Sequence, residues 1–145
     1  MQSILSYLNE SLLFRNFIEV IGGLDNTLLL LVISLPIGFV LSLIFALGRV
    51  SQNKFISKPI ASYIFVIRGT PLLVQIYLIY FGLGSIEFIR ESFLWYLLRE
   101  PFWCGVLALT INTVAYGSEI FRGGIQSVTK GQIESGLSLG FNKID

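Results

Sequence analysis

Residues 26–48 of the chain read NTLLLLVISLPIGFVLSLIFALG, without a single charged side chain. A helix of this length crosses the roughly 30 Å hydrocarbon layer of a bilayer. Pro36 lies inside the stretch, and membrane helices tolerate proline because neighbouring helices and hydroxyl side chains satisfy the freed carbonyl. We therefore predict a spanning helix over residues 26–48.

The composition of the whole chain agrees with a membrane protein. Its 145 residues are 54% hydrophobic and 13% charged, and soluble domains carry about twice that share of charge. An ordinary soluble enzyme domain is thereby excluded, and a net charge of +1 argues against nucleic acid as a partner. With no histidine and one cysteine, Cys104, the usual zinc sites, an internal disulfide and a serine–histidine or cysteine–histidine pair are excluded. We expect no metal, no cofactor and no catalytic residue, with Cys104 buried and inert.

Two further uncharged stretches, residues 69–86 and 101–118, lie near the lower length limit for a span. We predict spanning helices over 69–86 and 101–121, which makes the fold all-α, a polytopic membrane helical bundle with three spanning helices. Between the first two spans, residues 59–67 are apolar, and the predicted bend that follows consists of Arg68, Gly69, Thr70 and Pro71. A charge, a glycine and a helix-breaking proline indicate that 59–67 lies along or dips into the membrane interface.

Small residues recur every four positions in the first span, at Ser34, Gly38, Ser42 and Ala46. Such a stripe lets a second helix approach closely, so it predicts packing against protein along one side. The alternative is chance, since glycine and serine are common in membrane helices.

Basic residues predict the orientation in the membrane. The loop 49–68 contains Arg49, Lys54, Lys58 and Arg68 and no acidic residue, whereas residues 1–25 contain one basic and three acidic residues. By the positive-inside rule the loop 49–68 is cytoplasmic. Residues 1–25 then form an external lead-in, either amphipathic or irregular, residues 87–100 form an external loop, and residues 122–145 are cytoplasmic.

Polar residues at membrane depth are candidates for a solute pathway. Asn112, Tyr116 and Glu119 are spaced by four and three and so share a helix face. Thr113 flanks this face, and Gln75 is similarly placed in the second span. The alternative is structural, with Asn112 in an interhelical hydrogen bond and Glu119 in an ion pair with a residue three positions on.

Several motifs resemble those of a known family. Residues 134–136, ESG, followed by Gly140, resemble the "EAA" cytoplasmic loop of importer-type ABC transporter permeases, with serine and glycine in place of the two usual alanines. The segments SEIFRGGI at 118–125, KGQ at 130–132 and RGTPLLVQ at 68–75 resemble the polar amino acid branch. GRVS at 48–51, with NK at 53–54, and LALTINT at 107–113 are most similar to the M-type subunit of histidine, lysine, arginine and ornithine transporters. The resemblance runs from about residue 27 to the last residue.

The resemblance implies a permease subunit of an importer for polar, in particular basic, amino acids in the inner membrane of a bacterium. It implies three protein partners: a cytoplasmic ABC ATPase dimer, a second permease subunit that is similar or identical, and a periplasmic or extracellular amino acid binding protein. ATP hydrolysis is expected in the separate partner, because this sequence contains no Gly-x-x-x-x-Gly-Lys-Ser/Thr phosphate loop. The chain itself is then not an enzyme.

The resemblance also implies the residues that couple the chain to the ATPase: Gly131, Gln132, Glu134 and Gly140. Glu134 makes a charged contact with the ATPase, and Gly140 makes the turn between two short helices, since glycine accepts a positive φ without steric cost. The alternative is that Gly140 is only a helix C-cap and Glu134 a solvated charge.

Members of this family continue past the coupling loop with an Ile-x-Leu-Pro element and further spanning helices. We therefore expect a truncated permease with three N-terminal spans and an incomplete coupling loop, whose residue 145 lies on the cytoplasmic side. The alternative function is a structural helical membrane protein, or a permease fragment without transport of its own.

Overall fold

The structure is a computed structural model that describes Leu12 and residues 15–141, and the all-α class predicted from the sequence is confirmed. The helices are α1 (Leu24–Val50), α2 (Lys54–Arg68), α3 (Leu72–Ser85), α4 (Glu87–Arg90), α5 (Trp95–Leu98), α6 (Pro101–Ser127) and α7 (Lys130–Ser138). Residues 15–22 are also helical and join α1 through a turn at Gly23. Within α3, the stretch Leu78–Gly82 is π-helical.

Two helical segments, Arg15–Val50 and α6, are long and apolar enough to cross a membrane. A third span is present if α2 and α3 are counted together as one bent pair, whose axes differ by 105°. At 1.5 Å per residue, α3 alone extends about 21 Å, which is less than the roughly 30 Å of a hydrocarbon layer. Counted together, α2 and α3 form a broken span or a re-entrant loop, and the break between them falls at the predicted bend.

The core lies between α1 and α6, which pack along most of their length. The buried residues of α1 are Ser34, Gly38, Ser42 and Ala46. A Cβ atom added at Gly38 would lie 2.7 Å from Thr113 Cβ, and one added at Gly117 would lie 2.8 Å from Ser42 Oγ. Glycine is thus required at both points of close approach.

The connection from α1 to α2 is held by its own side chains. The Ser57 hydroxyl donates to the Arg49 carbonyl oxygen at 3.0 Å, and Arg49 Nη1 donates back to Ser57 Oγ at 3.3 Å. Asn53 is the N-cap of α2, where its side-chain oxygen accepts from the Phe55 backbone N–H at 3.0 Å. This cap satisfies one of the N–H groups that a helix start leaves without a partner.

The helix boundaries differ from the predicted segments at several points. The predicted span 101–121 continues to Ser127, so Gly123 and Gly124 lie inside α6. Both glycines face open space, where a helix accepts them at a modest cost. The segment 122–145 therefore begins as helix, and its last four residues lie outside the described part of the chain. The same holds for residues 1–11, 13 and 14 of the predicted lead-in.

Candidate functional site

A carboxylate surrounded by three arginines lies within α6, beside the C-terminal ends of α1 and α2. Arg122 Nε donates to both oxygens of Glu119 at 3.0 Å, and its Nη2 donates to Oε2 at 2.8 Å. Arg49 Nε and Arg68 Nη1 each lie 3.9 Å from a Glu119 oxygen. We call Arg49, Arg68, Glu119 and Arg122 the Glu119 cluster.

The positions of these residues explain why they meet. Arg122 follows Glu119 by three residues and so lies next to it on the helix surface. Arg49 is in the last turn of α1 and Arg68 in the last turn of α2, where a cation is favoured by the helix dipole. One carboxylate therefore connects three helices, and the cluster has an excess of positive charge.

A cleft of about 900 Å³ opens beside the cluster. It is lined by Arg49, Ala61, Ser62, Ile64, Phe65, Val66, Arg68, Gly69, Tyr116 and Glu119. The Arg68 guanidinium lies over the Tyr116 ring, 5.3 Å from its centroid, which is within the range of a cation–π contact. The structure thus brings two of the predicted pathway residues, Tyr116 and Glu119, to one cleft.

Gln75 and Asn112, two other predicted pathway residues, contact each other. Gln75 is 6% exposed, and its Nε2 donates to the carbonyl oxygens of Ile67 at 2.7 Å and Thr70 at 3.0 Å. Asn112 Nδ2 donates to Gln75 Oε1 at 3.3 Å. The pair holds the α2–α3 bend against α6, because these carbonyls lie at the break between the two helices.

Thr113 lies elsewhere, against Gly38 at the contact of α1 and α6. Two residues earlier, the Ile111 carbonyl oxygen accepts from the Tyr63 hydroxyl of α2 at 2.7 Å. The five predicted pathway residues therefore divide among a cleft, an amide pair and a helix contact.

The predicted coupling residues lie on or next to α7. Gln132 Oε1 accepts from the Thr129 backbone N–H at 3.0 Å, so Gln132 caps the start of this helix. Glu134 is exposed, as is Gly131, where an added Cβ would meet open space.

Gly140 ends α7 with φ of +89°. The Phe141 N–H donates to the Gly136 carbonyl oxygen and the Gly140 N–H donates to that of Leu137, both at 3.1 Å. This pair of bonds is a Schellman motif, which requires a residue in the left-handed region and so favours glycine. Gly140 is thus a helix C-cap that also turns the chain.

Two contacts were not predicted from the sequence. Arg49 was used to orient the loop and as part of the motif GRVS, although it also belongs to the Glu119 cluster, and Tyr63 was given no role. The sequence feature that could have indicated the role of Arg49 is its position at the end of a predicted span. A carboxylate at the end of another span can pair with an arginine there. Nothing in the spacing of Tyr63 reveals a bond to a carbonyl 48 residues away.

Comparison with known proteins identifies relatives that match most of the length of this chain. The sequence model of the family described as "Binding-protein-dependent transport system inner membrane component" matches residues 13–145. The match includes α1 to α7, the Glu119 cluster and the cleft.

Three similar proteins illustrate the relationship. The octopine transport system permease protein OccM of Rhizobium radiobacter is 44% identical over 94% of this chain and 56% of its own length. The histidine/lysine/arginine/ornithine transport system permease protein HisM of Escherichia coli K12 is 46% identical over 83% of this chain and 51% of its own. A crystal structure of an amino acid ABC transporter with histidines is 41% identical, with a TM-score of 0.73 over 91% of this chain and 57% of that one. The chain spans about half the length of the curated relatives it matches.

Proposed function

This chain belongs to the family of binding-protein-dependent transport system inner membrane components, and we propose on that premise that it acts in an ABC importer for basic amino acids. It contributes α1, α2, α3 and α6 to the membrane part of the transporter. A separate ATPase supplies the energy, a binding protein delivers the amino acid, and a second permease subunit completes the pathway.

The substrate class rests on the relatives. One similar protein is named for histidine, lysine, arginine and ornithine, and another similar protein for octopine. All four amino acids in the first name are basic. The motif LALTINT, which contains Asn112, resembles the M-type subunit of such transporters, and RGTPLLVQ, which contains Gln75, resembles the polar amino acid branch.

The Glu119 cluster supports the orientation that we propose for the chain. Because Arg49, Arg68 and Arg122 converge on one carboxylate, the loop 49–68 and the end of α6 lie on one side of the membrane. That side carries the basic residues of the loop, so the positive-inside rule makes it cytoplasmic. The segment that contains α4 and α5 then faces outward.

Cysteine labelling tests this orientation. In a Cys104→Ser background, a Glu91→Cys variant is expected to react with a membrane-impermeant maleimide in intact cells. A Lys54→Cys variant is expected to react only after the membrane is permeabilised, because Lys54 lies at the start of α2, which we place at the cytoplasmic face of the membrane. The reverse pattern of labelling would contradict the orientation.

The proposal rests on α7. The family match extends through this helix, and apolar side chains beside Glu134 are exposed on it. Ile133 is 53% and Leu137 47% exposed, and these residues, four apart, share one face of the helix. An amphipathic helix with such a face fits a groove on another protein. We assign this face to the ATPase, with Glu134 as its charged contact.

Copurification tests the assignment. When the chain is purified together with a co-expressed ABC ATPase of an amino acid importer, it is expected to retain that ATPase. The Glu134→Ala, Leu137→Asp double variant is expected to retain at least ten-fold less ATPase. The loss follows because a charge replaces an apolar contact and the existing charge is removed.

The control is Glu100→Ala, which removes an exposed carboxylate from the segment we place outside. It is expected to retain the ATPase fully. Equal recovery of the ATPase by the double variant, with normal insertion shown by the cysteine labelling, would overturn the role of α7.

A further inference from the structure

Two arginines of the Glu119 cluster keep donor groups directed towards the cleft. Arg122 takes both Glu119 oxygens at hydrogen-bond distance, which leaves Arg49 and Arg68 with contacts of 3.9 Å to that carboxylate. The Arg49 side chain is 34% exposed and that of Arg68 is 45% exposed. Arg49 Nη1 donates to Ser57 Oγ and the Arg68 guanidinium lies over the Tyr116 ring, and the exposed remaining donors of both groups are available to a second anion.

The wall of the cleft next to these arginines is apolar and exposed. Phe65 is 80% and Val66 57% exposed, although both belong to α2 and line the cleft together with Ala61 and Ile64. A soluble anion without a hydrocarbon part would not contact this apolar wall favourably. A ligand with a charged head and a hydrocarbon body satisfies both halves of the site.

We infer that the cleft binds the head group of an anionic phospholipid. The phosphate lies between Arg49 and Arg68, whose planar guanidinium groups donate paired hydrogen bonds to phosphate oxygens. The acyl chains run along Phe65 and Val66. Glu119 also lines the cleft, but Arg122 pairs with both of its oxygens, and residues 49–68 contain no acidic residue that would repel the head group. Basic pockets between membrane helices are known to select anionic lipids. The inference does not depend on the transported substrate.

Lipid titration tests the inference by native mass spectrometry of the purified chain. Phosphatidylglycerol is expected to bind at least five-fold more tightly than phosphatidylcholine, and glycerol 1-phosphate, which has the same charged group without acyl chains, is expected not to bind at the same concentrations. Arg49→Gln and Arg68→Gln are each expected to weaken phosphatidylglycerol binding by about five-fold, from the typical contribution of one basic residue near a membrane surface.

A matched control and a second variant separate binding from folding. Arg99→Gln removes an exposed arginine that pairs with Glu100, away from the cleft, and is expected to leave binding unchanged. Phe65→Asp alters a side chain that is 80% exposed, so it leaves the fold intact, and it is expected to weaken phosphatidylglycerol binding because its charge repels the phosphate.

Four results would overturn the inference. Three of them are equal affinity for phosphatidylglycerol and phosphatidylcholine, an Arg99→Gln effect as large as that of Arg68→Gln, and unchanged binding in Phe65→Asp. Glycerol 1-phosphate bound as tightly as the lipid would show that the site takes a soluble anion, and would equally overturn the assignment to lipid.

Discussion

Replacing Gly38 or Gly117 with leucine is expected to force α1 and α6 apart and to lower the stability of the chain by about 3 kcal/mol, at the upper end for an overpacked core. A Cβ at these positions already meets Thr113 or Ser42 at less than 3 Å, and leucine adds three more carbon atoms. Cys104, which is 1% exposed, reports unfolding when a maleimide dye reacts with its thiol as the temperature is raised.

The control for this experiment is Gly124→Leu. Gly124 lies in the same helix as Gly117, but no atom of the part of the chain that the structure describes lies within 4 Å of an added Cβ there. It is expected to leave the unfolding temperature unchanged or to raise it slightly, because leucine favours a helix more than glycine does. If Gly117→Leu and Gly124→Leu unfold at the same temperature, the close packing of α1 on α6 is contradicted.

Glu119→Gln is expected to destabilise the chain by about 2 kcal/mol. It leaves three arginines without the carboxylate that joins them, and losing one partner of a buried ion pair is more costly than losing the whole pair. We expect a smaller loss of stability than for a fully buried ion pair, because the Glu119 side chain is 19% exposed. The same Cys104 assay measures it.

A double variant distinguishes this mechanism from a simple loss of packing. Glu119→Gln with Arg122→Gln is expected to be more stable than the sum of the two single changes implies, since residues in one ion-pair network do not act independently. Glu100→Gln, which breaks the exposed pair with Arg99, is expected to change stability by less than about 1 kcal/mol. Strict additivity of Glu119→Gln and Arg122→Gln would show that the cluster is not coupled.

The sequence predicts those parts of the fold that depend on one-dimensional patterns. The predicted span 26–48 agrees with α1 to within two residues at each end. It does so because charge and hydropathy decide where a helix leaves the hydrocarbon. The four-residue recurrence from Ser34 to Ala46 coincides with the buried residues of α1, since that spacing defines one helix face.

Other features depend on which residues meet in space. Asn112, Tyr116 and Glu119 have the spacing of one face, yet Asn112 contacts Gln75 on α3 while Glu119 contacts arginines on α1 and α2. A spacing of four residues moves a side chain about 6 Å along the helix, which is enough for it to meet a different neighbour. The continuation of α6 to Ser127 was also missed, because glycines that face open space carry little information about where a helix ends.

Uptake into proteoliposomes tests most directly the proposed role of this chain in an ATP-driven importer for basic amino acids. The chain is reconstituted with the proposed ATPase, second permease subunit and binding protein, and the accumulation of labelled arginine is measured. We expect arginine to accumulate above its external concentration only when ATP and the binding protein are present. We expect this accumulation to be competed by lysine or histidine but not by glutamate, and to be lost in the Glu134→Ala, Leu137→Asp variant. Arginine accumulation that is the same without ATP, or in the absence of this chain, would contradict the proposed role.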